Sequence, residues 1–360
     1  MEIPVQVPVF SVNVPGTDLT PVLDELATVS QQVAELRGLI ENQQVPEPEP
    51  EPEPWELPAE MRGVRGQCGI ATTRERAEYY LGKLAEARVT DWWYPTVVSA
   101  AGEAYWRTNL IPRASCVTDE YDPLATVIDV AGGLGIRVHS LVIAAYTPLS
   151  HPEWDLANTR GIDEHWLDFT IPEARQFLAD CCAEIADGYQ EVHSIALDYC
   201  RYQYTWADRL GLTCDSIVAA VGEIRDRVHN VRPEMPVGQT PSAAVVFAET
   251  WWKQPWASML NNRIIRYAQP MCYQDEDATR EQIPVWIAEW DEHIDADKHE
   301  YIFPRPPVVW FAPDFKRKSV ERVLWELEQF AERWPRRALY DDYRIAAWPE
   351  LIEALAAGGW

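Results

Sequence analysis

The stretch His193-Ser194-Ile195-Ala196-Leu197-Asp198-Tyr199-Cys200-Arg201-Tyr202 runs from an apolar segment into an acid, an arginine and two tyrosines. A buried parallel strand that surfaces into a reactive site has this profile, because its body is covered on both faces and only its C-terminal end meets solvent. Asp198 is the first candidate for chemistry; a structural ion pair between Asp198 and Arg201 is the alternative. Cleavage of a glycosidic bond needs a second carboxyl group, so that one donates a proton while the other acts as nucleophile or base. The other acids that follow apolar runs are Glu103, Glu153, Asp275, Asp277, Glu289, Asp291 and Asp314. Glu289 is the preferred partner because it follows strand-like residues directly, with Asp275 next in line. In that pairing Asp198 is nucleophile or base, and Glu289 is a proton donor whose pKa an apolar setting must raise. Arg201 orients Asp198 or a substrate oxygen. A solvated strand-end acid is the alternative for Glu289.

Aromatic residues are the second signal. The chain has 17 Trp and 15 Tyr, and Tyr105, Trp106, Trp154, Trp166, Tyr202, Tyr204, Trp251, Trp252, Tyr273 and Trp290 fall in predicted loops over the site, with Tyr199 beside Asp198. Flat rings with polar edges suit the faces of sugar rings, whereas core filling accounts for more than half of such residues in any case. Trp92, Trp93, Trp286 and Trp310 lie inside strand-like runs and read as packing. His139 is expected at the barrel mouth as a donor to substrate, a satisfied structural histidine being the alternative. His151-Pro152-Glu153-Trp154 combines a base, an acid and a stacking platform.

These residues need a frame that brings distant strand ends together. Short apolar runs at Val64–Ile70, Val89–Val98, Ile136–Ala145, His193–Tyr199, Pro236–Thr240, Ile264–Cys272, Pro284–Trp290 and Pro307–Ala312 alternate with amphipathic helical stretches. That alternation over residues 59–360 predicts an α/β fold of the (β/α)8 TIM-barrel type; a doubly wound open sheet is the other arrangement, weakened by the lack of a glycine-rich loop after the first strand.

The first 58 residues read differently. Within residues 1–16, Ile3, Val5, Val7 and Val9 alternate and then shift phase to Phe10, Val12 and Val14, an extended arm that Pro4 and Pro8 limit to edge pairing or docking. Within 17–44, Leu19, Val22, Leu26, Val29, Val33, Leu36 and Ile40 form a seam of three- and four-residue spacings that predicts a parallel coiled coil, its apolar flanks Leu23 and Leu39 favouring a homotrimer. A single helix packed on its own domain is the alternative. Within residues 45–58, Pro46 to Pro54 alternate Pro and Glu, a semi-rigid polyproline spacer.

A formal net charge of −26 argues against nucleic acid and anionic membranes as partners. No uninterrupted apolar run reaches the length of a membrane-spanning helix. Met1-Glu2-Ile3-Pro4 lacks the basic start of a secretory signal, which predicts synthesis in the cytoplasm without export. Seven cysteines, with no Cys-x-x-Cys pair, predict buried thiols rather than disulfides or a zinc site, and no cofactor or metal is expected.

Five segments in order, Asp122-Pro123-Leu124, Gly135-Ile136-Arg137-Val138-His139, His151-Pro152-Glu153-Trp154, Leu197-Asp198-Tyr199-Cys200-Arg201-Tyr202 and Gln269-Pro270-Met271-Cys272-Tyr273, resemble the bacterial glycosyl-hydrolase-like family 10 over about Arg62 to Tyr273. The resemblance implies a (β/α)8 glycoside hydrolase acting on a cell-wall or surface glycan, with Asp198 in the active site and His139, Arg201 and Tyr273 lining it. Arm, coiled coil, spacer and glycan-active domain together resemble a phage tail or virion-surface protein whose arm docks on the particle. The alternatives are a non-catalytic carbohydrate-binding adhesin or decoration protein on a degenerate barrel, a purely structural virion part, and a tethered cytoplasmic enzyme.

Overall fold

The computed structural model describes residues 58–66, 71–98, 103–118, 120–145, 150–274, 281–308 and 318–360. The arm, the coiled-coil segment and all of the spacer before Pro58 lie outside the described residues, as do Asp275, Asp277 and Asp314.

The described strands are β1 (Met61–Arg65), β2 (Asp91–Val98), β3 (Glu103–Ala104), β4 (Arg137–Ile143), β5 (Val192–Asp198), β6 (Val237–Gln239), β7 (Tyr267–Ala268) and β8 (Arg336–Tyr340). All but β3 run parallel, in the order β7-β6-β5-β4-β2-β1-β8, and β3 folds back antiparallel on β2. Parallel neighbours require crossovers, and the main helices supply them: α1 (Arg74–Glu86), α2 (Pro123–Gly133), α3 (Pro172–Gly188), α4 (Cys214–Val231), α5 (Val245–Trp252), α6 (Gln282–His293) and α7 (Val320–Ala331), with α8 (Asp342–Ala346) following the last strand. The sheet curls, and its two edges are joined through residues 302–308. Phe303 and Arg305 donate backbone N–H bonds to Ala268 and Pro270 on the β7 side, while Ala338 and Tyr340 of β8 donate to Pro304 and Pro306. This is an α/β fold of TIM-like type.

Strand alternation sorts side chains into two layers. Met61, Trp93, Leu141, Ala196, Tyr267, Phe303 and Ala338 form a separate cluster in the interior. Tyr267 fills the space beside Gly238, and Trp93 fills that beside Gly63. The opposite faces, with Val64, Trp92, Val138, Val142, Ile195, Leu197, Val237 and Leu339, join the buried faces of the helices in one larger core. On α1 that face is Ala77, Leu81 and Leu84, at helical spacing, and the helix starts where the Thr73 hydroxyl accepts the Arg76 N–H.

Two elements depart from the sequence-based expectation. Pro284–Trp290, expected as the seventh strand, lies in α6, because its buried positions Ile283, Trp286 and Trp290 follow a helical and not an alternating period. The last strand is β8, opened by Arg336 and Arg337 and therefore poor in the apolar character sought.

Candidate functional site

The C-terminal strand ends open into a cavity of about 670 Å³. Its walls come from β1 (Arg65), β5 and the turn after it (Asp198, Tyr199, Arg201), and the segment from Ser242 through α5 (Ala244, Phe247, Trp252). The remainder comes from the segment after β7 (Met271, Tyr273, Gln274), from α6 (Gln282, Trp286) and from the end of β8 (Tyr340).

Asp198 ends β5 and is only 3% exposed. The Arg65 guanidinium donates to its Oδ2 at 2.8 Å, while Oδ1 accepts from the Thr240 hydroxyl at 2.5 Å and from the Tyr199 backbone N–H at 2.9 Å. Burial by itself would raise its pKa. The charges of Arg65 and Arg305 and the bonds from Thr240 and Arg65 outweigh it and hold the carboxyl below the ordinary range, so it is ionised at neutral pH. Tyr199 adopts a left-handed backbone, φ 54°, in the sharp turn that lets its N–H reach Asp198. Such backbone strain clusters at functional positions. Arg201, which the sequence offered as Asp198's partner, instead lies over Trp252 at 3.6 Å and over Tyr199 at 5.0 Å on the cavity wall. Arg65 holds that partnership.

Of the remaining expected residues, Tyr273 lines the cavity and Asp275 lies outside the described residues. Glu289 is on α6, not at a strand end, and its Oε1 accepts the Val246 N–H at 2.8 Å. It caps the first turn of α5 and is absent from the cavity wall, so the shared strand-end position that paired it with Asp198 does not exist. His139 is inside the sheet, four residues before Ile143, the register partner of Asp198. At about 3.3 Å per residue this places it some 13 Å below the mouth. There it contacts Asp91 at 3.0 Å and Ser194 at 2.7 Å and stacks on Trp93. Ser194 in turn contacts the Tyr267 hydroxyl. Ser, His and Asp stand in the order of a hydrolytic triad, yet all three are buried, which makes this a structural network.

Tyr202 is fully buried among Phe169 and Trp206 with its hydroxyl at Ser216. Trp290 is buried against Trp256, Phe330 and Trp334 and donates to the Ala243 carbonyl. Tyr105 is buried with its hydroxyl at Cys116 Sγ. His151 and Trp154 stack on each other at 3.9 Å and on Phe177 of α3, away from the cavity wall. These five pack the structure and do not line the site.

The sequence analysis missed Arg65, Thr240, Arg305 and Tyr340, and it assigned Trp286 to packing. Arg65 was obscured because the first strand was placed three residues too late; a cation closing an apolar strand was the available signal. Gln274 is oriented by Arg322, which donates to its Oε1 at 2.6 Å from within a buried cluster of Lys318, Arg322 and Glu326. A second carboxyl follows β8: Asp341 is fully buried, caps α8 and pairs with Arg344 at 3.3 Å. Burial pushes its pKa up, against the pull of Arg344 and Arg65.

No family model matches the sequence, and no curated protein matches it. Solved structures do. The glycoside hydrolase domain of PgaB (BpsB) from Bordetella bronchiseptica superposes with a TM-score of 0.64 at 12% identity, covering 83% of this chain and 98% of that domain. A β-galactosidase from Rahnella sp. R3 matches with a TM-score of 0.57 at 11% identity over 84% of this chain and 57% of its own. An α-L-fucosidase isoenzyme from Paenibacillus thiaminolyticus matches with a TM-score of 0.55 at 12% identity over 83% of this chain and 49% of its own. The chain thus spans about half the length of these last two enzymes. The likeness establishes a fold shared with glycoside hydrolases.

Proposed function

We propose that the domain is a glycoside hydrolase acting on a cell-wall or surface polysaccharide at the mouth of the barrel, with Asp198 as its ionised carboxylate. One observation carries this: a buried aspartate, held charged by Arg65 and Thr240, sits in a cavity walled by Tyr199, Phe247, Trp252, Tyr273, Trp286 and Tyr340. Aromatic faces suit sugar rings, and an ionised strand-end carboxylate suits attack on an anomeric carbon or on the proton of an attacking water. Exposed Trp251 and Phe247 on α5 extend the aromatic surface beyond the rim. The fold shared with glycoside hydrolases supports the same class.

The proton donor must be another acid. Asp341 has a pKa raised by burial, as a donor needs, but it is fully buried, caps α8 and is absent from the described cavity wall. Asp275 follows the wall residue Gln274 in the chain. Release of reducing ends from peptidoglycan and capsular polysaccharides decides the matter: the wild type should release them, and Asp198→Asn should lower the rate by about a hundredfold or more. Asp341→Asn and Asp275→Asn then identify the donor. Among the described residues Asp198 is the one carboxylate of the wall, which favours the second reading, a glycan-binding adhesin or decoration domain; equal background release by wild type and Asp198→Asn, with binding intact, would establish it.

For residues 1–58 the proposal rests on sequence pattern alone. The heptad seam supports a homotrimer, the Pro/Glu run a spacer, and the arm an attachment to a virion surface or other scaffold. Sedimentation equilibrium of the full chain, compared with a variant carrying Lys at Val22 and Val29, tests the trimer.

A further inference from the structure

Among the described residues, the cavity wall inverts the charge of the protein. The chain carries a formal charge of −26, yet the described cavity wall holds Arg65 and Arg201 against the single carboxylate Asp198, and that carboxylate is taken up by Arg65 at 2.8 Å. A third guanidinium, Arg305, lies 5.8 Å from the ring of Tyr273 and 5.7 Å from that of Tyr340, both wall residues. Arg305 is fully buried, and none of its three guanidinium nitrogens has a hydrogen-bond partner among the described residues. Two buried amides stand nearby in the chain segment after β7 with the same deficit: both polar atoms of Gln269 and the Nε2 of Gln274. Arg305 also acts through its charge on Asp198, whose carboxylate is hydrogen-bonded to Arg65, and Asp341 is paired with Arg344.

A buried cation is retained where something completes its bonds, and a planar guanidinium matches a carboxylate with two parallel N–H···O contacts. We propose that the cavity selects an acidic glycan, one whose sugar at the barrel mouth bears a carboxylate, as a uronic acid does. Arg201 on the wall holds that carboxylate, and the charge of Arg305, buried against Tyr273 and Tyr340, attracts it without contact. Arg65 stays committed to Asp198, so the substrate's negative charge does not displace the reactive one. This inference rests on the glycan-active reading and adds the class of sugar.

Isothermal titration of the full chain with polygalacturonate, alginate and hyaluronan, each before and after chemical reduction of its carboxyl groups to alcohols, provides the test. Neutral dextran and mannan complete the panel. At least one acidic polymer should bind, its reduction should weaken binding by about tenfold or more, and Arg201→Gln should cost the acidic form about tenfold more affinity than it costs the reduced form. Arg305→Gln should act in the same direction, and Arg305→Lys should restore part of the affinity. Should the Arg305 variants fail to fold, Arg201→Gln, on the cavity wall, keeps the test intact. Equal binding of acidic and reduced forms, or tight binding of neutral polymers alone, overturns the acidic selection and leaves the glycan reading standing. Absence of binding to every polymer overturns the acidic selection, and background release from peptidoglycan and capsular polysaccharides as well would overturn the glycan reading.

Discussion

Arg65, the last residue of β1, and Asp198, the last residue of β5, meet at 2.8 Å although 133 positions separate them in the chain. Both are almost fully buried, so each is the condition for the other's charge. Removing the cation alone strands a carboxylate in the interior. Arg65→Met should therefore destabilise the domain by about 3–5 kcal/mol at neutral pH, and pairing it with Asp198→Leu should recover most of that loss. Urea denaturation of the three proteins measures it.

The same pair sets a pH dependence. Because the folded-state pKa of Asp198 lies below its unfolded value, the stabilisation is complete above the unfolded pKa of about 3.9 and is lost as pH falls through the folded value. The stability difference between wild type and Asp198→Asn should be constant from pH 7 to about 5 and shrink below about pH 4. A difference unchanged down to pH 3 would contradict this.

His139 offers the opposite test. Buried between Asp91 and Ser194, it should matter to stability and not to sugar chemistry. His139→Ala should cost about 1–3 kcal/mol by leaving those partners unsatisfied. The folded fraction should keep wild-type glycan affinity and wild-type rate, which separates it from Asp198→Asn.

Gly238 is fixed by close approach. A methyl group there would enter the ring of Tyr267, which is itself held by bonds to Ser194 and Trp93. Gly238→Ala should lose about 1–3 kcal/mol, whereas Gly82→Ala, with open space around it, should be neutral or stabilising. Thermal denaturation distinguishes the two.

The buried ion cluster links stability to the site. Glu326 takes both Lys318 and Arg322, and Arg322 also holds Gln274 at the cavity. Glu326→Gln leaves two cations short of their counter-charge and should cost about 3–5 kcal/mol. Gln274→Ala should keep that stability more nearly and weaken ligand binding instead.

Much of the frame was legible because parallel strands announce themselves. The runs holding β2, β4, β5 and β6 were apolar enough to be placed within a few residues, and with β5 came Asp198. Legibility failed where composition and geometry diverge. The segment from Gln282 to Trp290 is as apolar as a strand, and only the spacing of Ile283, Trp286 and Trp290 reveals a helix. Arg336-Arg337 hid β8, and with it Tyr340 and Asp341. Aromatic residues misled most: Tyr105, Tyr202 and Trp290 sit in runs indistinguishable from those of Trp252 and Tyr273, and side-chain direction, which separates core from wall, is a property of the folded backbone.

The seam at residues 302–308 is stitched unevenly. Phe303 and Arg305 donate toward β7, but on the β8 side Pro304 and Pro306 can only accept, having no N–H to return, and Val308 alone donates, to the Tyr340 carbonyl. That junction is shorter than the β4–β5 pairing, and its amides, those of Ala338 and Tyr340, should exchange hydrogen sooner than those between β4 and β5. Arg305 rides on this junction, so each loosening of the ring would carry its charge away from Asp198 and the sugar pocket and each tightening would bring it back.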